Sequence, residues 1–165
     1  MSMLENKTFG LISLGCDKNR VDAERLLAIV RERGCPVTDD ISQANILIVN
    51  TCAFLQSARK EAIDTVLDCD SYRGGNLEKI VVSGCLPEKY IGELFPSLTE
   101  GDVFLGCNDA DKLMEAIELS YAQGRVDMVH RGHESEGGRT LTTPLHYAYL
   151  KIADGCNNHC TYCLI

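Results

Sequence analysis

Ile46-Leu47-Ile48-Val49-Asn50 is a run of four apolar residues closed by an amide, and its reading decides the fold. A short apolar run without polar alternation reads as a strand covered on both faces, which is the usual situation in a parallel sheet. Similar runs stand at Phe9 to Leu14 (FGLISL), Ile80 to Ser83 (IVVS) and Val103 to Leu105, with Val37 to Asp39 as a further short strand. Helical patterns separate them. Val21 to Arg33 carries Val21, Leu26, Leu27, Ile29 and Val30 largely on one face, and Gly34 stands as its C-terminal stop. Leu55 to Leu67 places Ala58, Ala62, Ile63 and Val66 at helical spacing, and Pro87 to Phe95 is a short helix opening on a proline. A last helix runs to about Ala122, with Asn108 or Asp109 as its cap. This alternation predicts an α/β fold, a parallel sheet flanked by helices of the flavodoxin or Rossmann kind.

At 165 residues the chain has room for one ordinary domain and a tail. The sheet domain is expected over residues 1–123. Residues 124–146, with Gly132, Gly137 and Gly138 among charges and threonines, read as a linker. Tyr147 to Ile152 (YAYLKI) alternates like a strand, the opening strand of a second α/β domain begun over residues 147–165. A strand without its sheet has no backbone partners, so this tail is expected to be mobile or held by artificial contacts.

The composition is 45% hydrophobic and 24% charged, which supports a buried core rather than disorder. No apolar stretch approaches a membrane span, and MSMLENKTFG lacks a signal pattern, so the protein is expected in the cytoplasm. The formal net charge of -8 argues against direct nucleic-acid binding by this chain and makes a basic protein the easier partner. Nine cysteines without an export signal point to metal ligation or reduced thiols, not to a disulfide framework.

Six of the nine form two sets. Cys16, Cys52 and Cys85 each follow a predicted strand by a residue or two, and in a parallel sheet those strand ends share the edge where ligands bind. Three such cysteines therefore converge, and Gly15 and Gly84 just before two of them let the backbone approach a bulky ligand. Cys35, Cys69 and Cys107 are assigned to packing as small buried hydrophobes. The second set is Cys156, Cys160 and Cys163, in CNNHCTYC. Three thiolates at that spacing hold three irons of a [4Fe-4S] cubane and leave the fourth open, whereas electron-transfer clusters take four cysteines. The competing reading is half of a zinc site, for which only His159 lies close by. The run resembles that of radical S-adenosylmethionine enzymes, in which Tyr162 would stand beside the adenine.

The surrounding sequence extends the likeness. LGCDKNRVDAE around Cys16, VNTCAF around Cys52, VSGCL around Cys85 and YLKIADGCNNHCTYCLI resemble the N-terminal portion of the radical S-adenosylmethionine methylthiotransferase family. That resemblance implies two [4Fe-4S] clusters. Cys156, Cys160 and Cys163 would bind the one that cleaves S-adenosyl-L-methionine, and Cys16, Cys52 and Cys85 an auxiliary one that carries sulfur. It implies an electron donor such as flavodoxin or ferredoxin, and a catalytic barrel beyond Ile165 without which this chain would be inactive. Lys18-Asn19-Arg20-Val21-Asp22 is similar to the RimO group, which methylthiolates the β-carbon of an aspartate in small-subunit ribosomal protein twelve. Asp17 stands where that group commonly has proline. The tRNA-modifying MiaB group, which usually has Gln-Met-Asn after its cysteine, is the alternative, and a non-catalytic iron-sulfur module is a second.

Overall fold

The computed structural model describes residues 3–130, 137–153 and 155–163. Six strands form one sheet: β1 (Phe9–Ser13), β2 (Val37–Thr38), β3 (Ile46–Thr51), β4 (Lys79–Gly84), β5 (Val103–Leu105) and β6 (Val126–Asp127). Their spatial order is β2-β1-β3-β4-β5-β6, and every neighbouring pair is parallel. The first five strands thus follow the flavodoxin-like order, whose winding reverses between β1 and β3. Four helices connect them: α1 (Asp17–Glu32), α2 (Gln56–Asp70), α3 (Cys85–Ser97) and α4 (Leu113–Gln123).

Alternation along β3 explains the two-layer cover. Ile46 and Ile48 pack with Leu26 and Val30 of α1 and Leu113 and Ile117 of α4. Leu47 and Val49 point the other way, toward Ala62 and Val66 of α2 and Leu86 and Leu94 of α3. All four β3 residues are fully buried, as the unbroken apolar run requires. Gly10 on the neighbouring strand leaves room for this packing, since a Cβ there would lie 2.9 Å from Leu47 Cδ1.

Several elements differ from the sequence-based expectation. The first helix begins at Asp17, earlier than Val21, because Cys16 is extended and forms its N-cap (φ -99°, ψ 179°). It stops as expected at Gly34, whose φ of +72° is a left-handed value that glycine adopts without strain. The last helix is preceded by a 3-10 turn at Ala110–Lys112, and Asp109 makes no side-chain cap bond. Its buried carboxylate instead accepts from Gly106 N (2.9 Å) and His130 N (3.0 Å) and pairs with Lys112 (2.7 Å). Within the stretch read as a linker, β6 adds to the sheet edge. Arg125 seats it by donating to Gly101 O, Phe95 O and Leu98 O while lying over the Phe95 ring. Gly132 lies outside the described residues.

The expected strand at Tyr147 to Ile152 is not formed, since the described residues 147–153 have no strand neighbour to pair with. The segment is nevertheless tied down. Lys151 Nζ reaches Asp22 on α1 at 2.8 Å, with side-chain exposures of 1% and 9%. Upstream, Thr140 N donates to Glu24 O, Thr142 bonds the Glu24 carboxylate through both its N–H (2.7 Å) and its hydroxyl (2.9 Å), and Arg139 pairs with it at 3.0 Å. Side-chain pairing thus replaces sheet pairing along α1.

Because Ile48 is fully buried against α1 and α4, Ile48→Ala should lower the unfolding free energy by about 3 kcal/mol, read from the midpoint of a urea titration at unchanged slope.

Candidate metal centre

The register across the central strands sets the site. Ser13 of β1 pairs with Asn50 of β3, which pairs with Ser83 of β4, so the three chains reach the sheet edge at one level. Cys52 and Cys85 each follow two residues later, and Cys16 three. All three line one cavity of about 580 Å³, together with Asn19, Asp22 and Cys107. A second cavity of the same volume lies between α2 and α3, lined by Arg59, Ile63 and Tyr90, and no cysteine reaches it.

Asn19 is the joint between the three loops. Its amide is 2% exposed and donates to Leu14 O (3.2 Å) and Thr51 O (2.7 Å), tying the ends of β1 and β3 together. Its Oδ1 accepts from the thiols of Cys16 (3.6 Å) and Cys85 (3.7 Å), so two of the sulfurs flank a single oxygen. Asn50 secures the joint by donating to Asn19 O at 2.6 Å. Thr51 completes it from the other side: its hydroxyl donates to Ser83 O (2.7 Å) and accepts from Leu86 N (3.3 Å), pinning the first turn of α3.

Close backbone approach explains the glycines. A Cβ on Gly15 (φ +103°) would sit 2.6 Å from Cys52 Cβ. On Gly84 (φ 99°, ψ -152°), in a region only glycine adopts readily, it would lie 2.6 Å from both Asn50 Oδ1 and Thr51 O.

Electrostatics favour thiolate character at Cys85, which opens α3, where unpaired N–H groups stabilise negative charge. Cys107 donates its S–H to Cys85 at 3.7 Å, which holds the Cys85 thiol down at about 7 against the effect of burial. The same contact and burial push Cys107 well above the usual thiol range. The assignment of Cys107 to packing is therefore corrected: it belongs to the cavity wall. The signal was its place two residues after β5, as with Cys52 and Cys85 relative to their pairing neighbours. Cys35 and Cys69 do sit in the two cores, and burial raises Cys69 to about 11.

The donor set is three thiols from separate loops around one cavity. Among the described residues no three His, Cys, Asp or Glu side chains converge on a position for a single ion, as a tetrahedral zinc site requires. A multi-iron cluster takes each thiolate on a different iron and needs sulfurs spread around a cavity. Cys16, Cys52 and Cys85 line one cavity from three separate loops.

The second triplet stands apart. Cys156 and Cys160 are exposed, Cys163 is half-buried, and Tyr162 is exposed. A turn closes the loop through Cys163 N to Cys160 O (3.0 Å), with His159 in the left-handed region at φ 50°. The structure does not bring these thiols into the cavity of the first set.

Comparison with known proteins places residues 8–106 in a family described as "Uncharacterized protein family UPF0004". Proteins named ribosomal protein uS12 methylthiotransferase RimO are similar over nearly the whole chain. The protein from Clostridium tetani is 46% identical over 160 residues, covering 95% of this chain and 36% of the relative. The one from Clostridium kluyveri is 48% identical over 162 residues, covering 94% and 36%. That from Thermoanaerobacter sp. is 42% identical over 162 residues, covering 96% and 37%. The chain thus spans little more than a third of the length of these relatives.

Two outcomes test the site. Gly84→Ala should destabilise the fold by about 2 kcal/mol or more by chemical denaturation, because the clash is with backbone that cannot swing away. In metal-free protein at pH 8, mass-resolved alkylation should label exposed Cys16 within minutes and leave Cys35 and Cys69 unlabelled until denaturant is added.

Proposed function

From the premise that this chain belongs to the uncharacterized protein family UPF0004, we propose that it is the N-terminal part of a radical S-adenosylmethionine methylthiotransferase of the RimO group. The substrate of the whole enzyme is the β-carbon of an aspartate in small-subunit ribosomal protein uS12. One observation carries the reading: three cysteines from separate βα loops surround a single cavity in a chain 42% to 48% identical to relatives of that name.

Cys16, Cys52 and Cys85 would hold one [4Fe-4S] cluster, and Cys156, Cys160 and Cys163 another. When bound, the clusters supply the electron for reductive cleavage of S-adenosyl-L-methionine and the sulfur that is transferred. The remaining work falls to the protein. Asn19 ties the ends of β1 and β3 together and so sets the loops that carry Cys16 and Cys52, and the N-terminus of α3 favours the thiolate form of Cys85. Lys151, paired with Asp22 at the cavity wall, keeps the segment leading to the second triplet against α1. The exposed second triplet, with Tyr162 to flank an adenine, is accessible to S-adenosyl-L-methionine and to a one-electron donor such as a flavodoxin or ferredoxin.

The acidic balance of the chain suits a basic ribosomal protein better than a nucleic-acid backbone. No helix among the described residues is long and apolar enough to cross a membrane, which accords with a cytoplasmic enzyme.

In a strain lacking the parent gene, mass spectrometry should find the uS12 aspartate without its methylthio group while tRNA adenosine methylthiolation persists. The opposite pattern would assign the protein to the MiaB group. After anaerobic reconstitution, parent enzyme with the second triplet changed to alanine should retain about four iron atoms, and changing Cys52 as well should abolish them.

A further inference from the structure

Cys107 occupies a place that the two cysteine triplets leave unexplained. It stands between β5 and α4, separated by a whole βα unit from Cys85, yet its sulfur lies 3.7 Å from that of Cys85 in the same cavity wall. The placement is built. Glu88, one turn along α3 from Cys85, accepts from Cys107 N at 3.2 Å, and Asp109 accepts from Gly106 N at 2.9 Å. A carboxylate on each side thus holds the loop so that the thiol faces Cys85. A Cβ on Gly106 would meet Glu88 Oε2 at 2.0 Å and Asp109 Oδ2 at 2.7 Å, so any larger residue there would displace these carboxylates.

A separation of 3.7 Å fits an S–H···S hydrogen bond, for which Cys107 is the donor. It is too short for the two sulfurs to sit on different irons of one cubane, where each cysteine projects from its own corner. Cys107 is therefore not a fourth ligand in this geometry. We infer that Cys107 is a positioning residue of the auxiliary cluster, donating its S–H to the sulfur of Cys85 and so setting the cluster's reduction potential. The inference rests on the reading that Cys16, Cys52 and Cys85 ligate iron.

The physical basis is electronic. A donor at a ligand sulfur draws charge from it, so the reduced cluster, which carries one more electron, gains more from the bond than the oxidised one. Removing the donor makes reduction harder.

The test uses the full-length parent with Cys156, Cys160 and Cys163 changed to alanine, so that a single cluster is titrated. Iron content and the potentiometric midpoint, followed by electron paramagnetic resonance, are measured for that background alone and with Cys107→Ala or Cys107→Ser. The expected result is unchanged iron content in all three, a more negative midpoint for Cys107→Ala, and a midpoint for Cys107→Ser close to the background, since a hydroxyl still donates. Full iron with the same midpoint for Cys107→Ala overturns the role of Cys107 and leaves the cluster assignment standing. Equal shifts in the alanine and serine variants also overturn it, because a packing effect does not depend on the donor. Loss of iron from both Cys107 variants, with the background loaded, would make Cys107 a ligand and overturn the donor role. Absence of iron from the background itself overturns both readings.

Discussion

The in-register pairing of β3 between β1 and β4 is the constraint on which the rest depends. Parallel pairing brings Ser13, Asn50 and Ser83 to one level, and only then do the following loops meet. The pairing holds because β3 is apolar on both faces and is covered by α1 and α4 on one side and α2 and α3 on the other. A shift by one residue would exchange the two faces and send Asn50 into a hydrophobic core, where its amide would lose Asn19 O as partner. The apolar packing and the polar joint therefore select the same register.

The cavity is lined by sulfurs, by the apolar side chains of Phe54, Leu55 and Ala58, and by a few charged groups. Asp22 and Glu88 bring negative charge close to the thiols, opposed by Lys151 and by the N-termini of α1 and α3. These charges of opposite sign offset one another around the sulfurs. The offset also accounts for Lys151 being almost completely enclosed although it comes from a segment without secondary structure: its charge has a carboxylate partner at 2.8 Å, and burying it unpaired would be costly.

The central strands and the convergence of Cys16, Cys52 and Cys85 were legible in the sequence because both follow from one pattern, an apolar run ending in a loop. What was not legible depended on partners distant in sequence. Two-residue β6 is a strand because it pairs with β5, and Arg125 holds it there through bonds to the end of α3 and the loop that follows. Tyr147 to Ile152 alternates like a strand, but alternation does not create a neighbour to pair with. Asp109 looked like a helix cap because its type favours that role, and it turned instead to Gly106 and His130. Cys107 satisfied the same positional rule as the other site cysteines, and a burial tendency general to cysteine outweighed it.

The cavity draws its three central cysteines from three successive βα units, so it has no local precursor. As the chain leaves the ribosome, Cys16 and Cys52 emerge well before Cys85, and β4 must join β3 before the third sulfur can face the other two. The thiols therefore spend the early part of synthesis unorganised, and a metal captured by one or two of them would have to be given up for the final set to assemble. Late closure of this kind, imposed by non-local parallel pairing, makes the moment at which the three sulfurs first face one another a property of the topology.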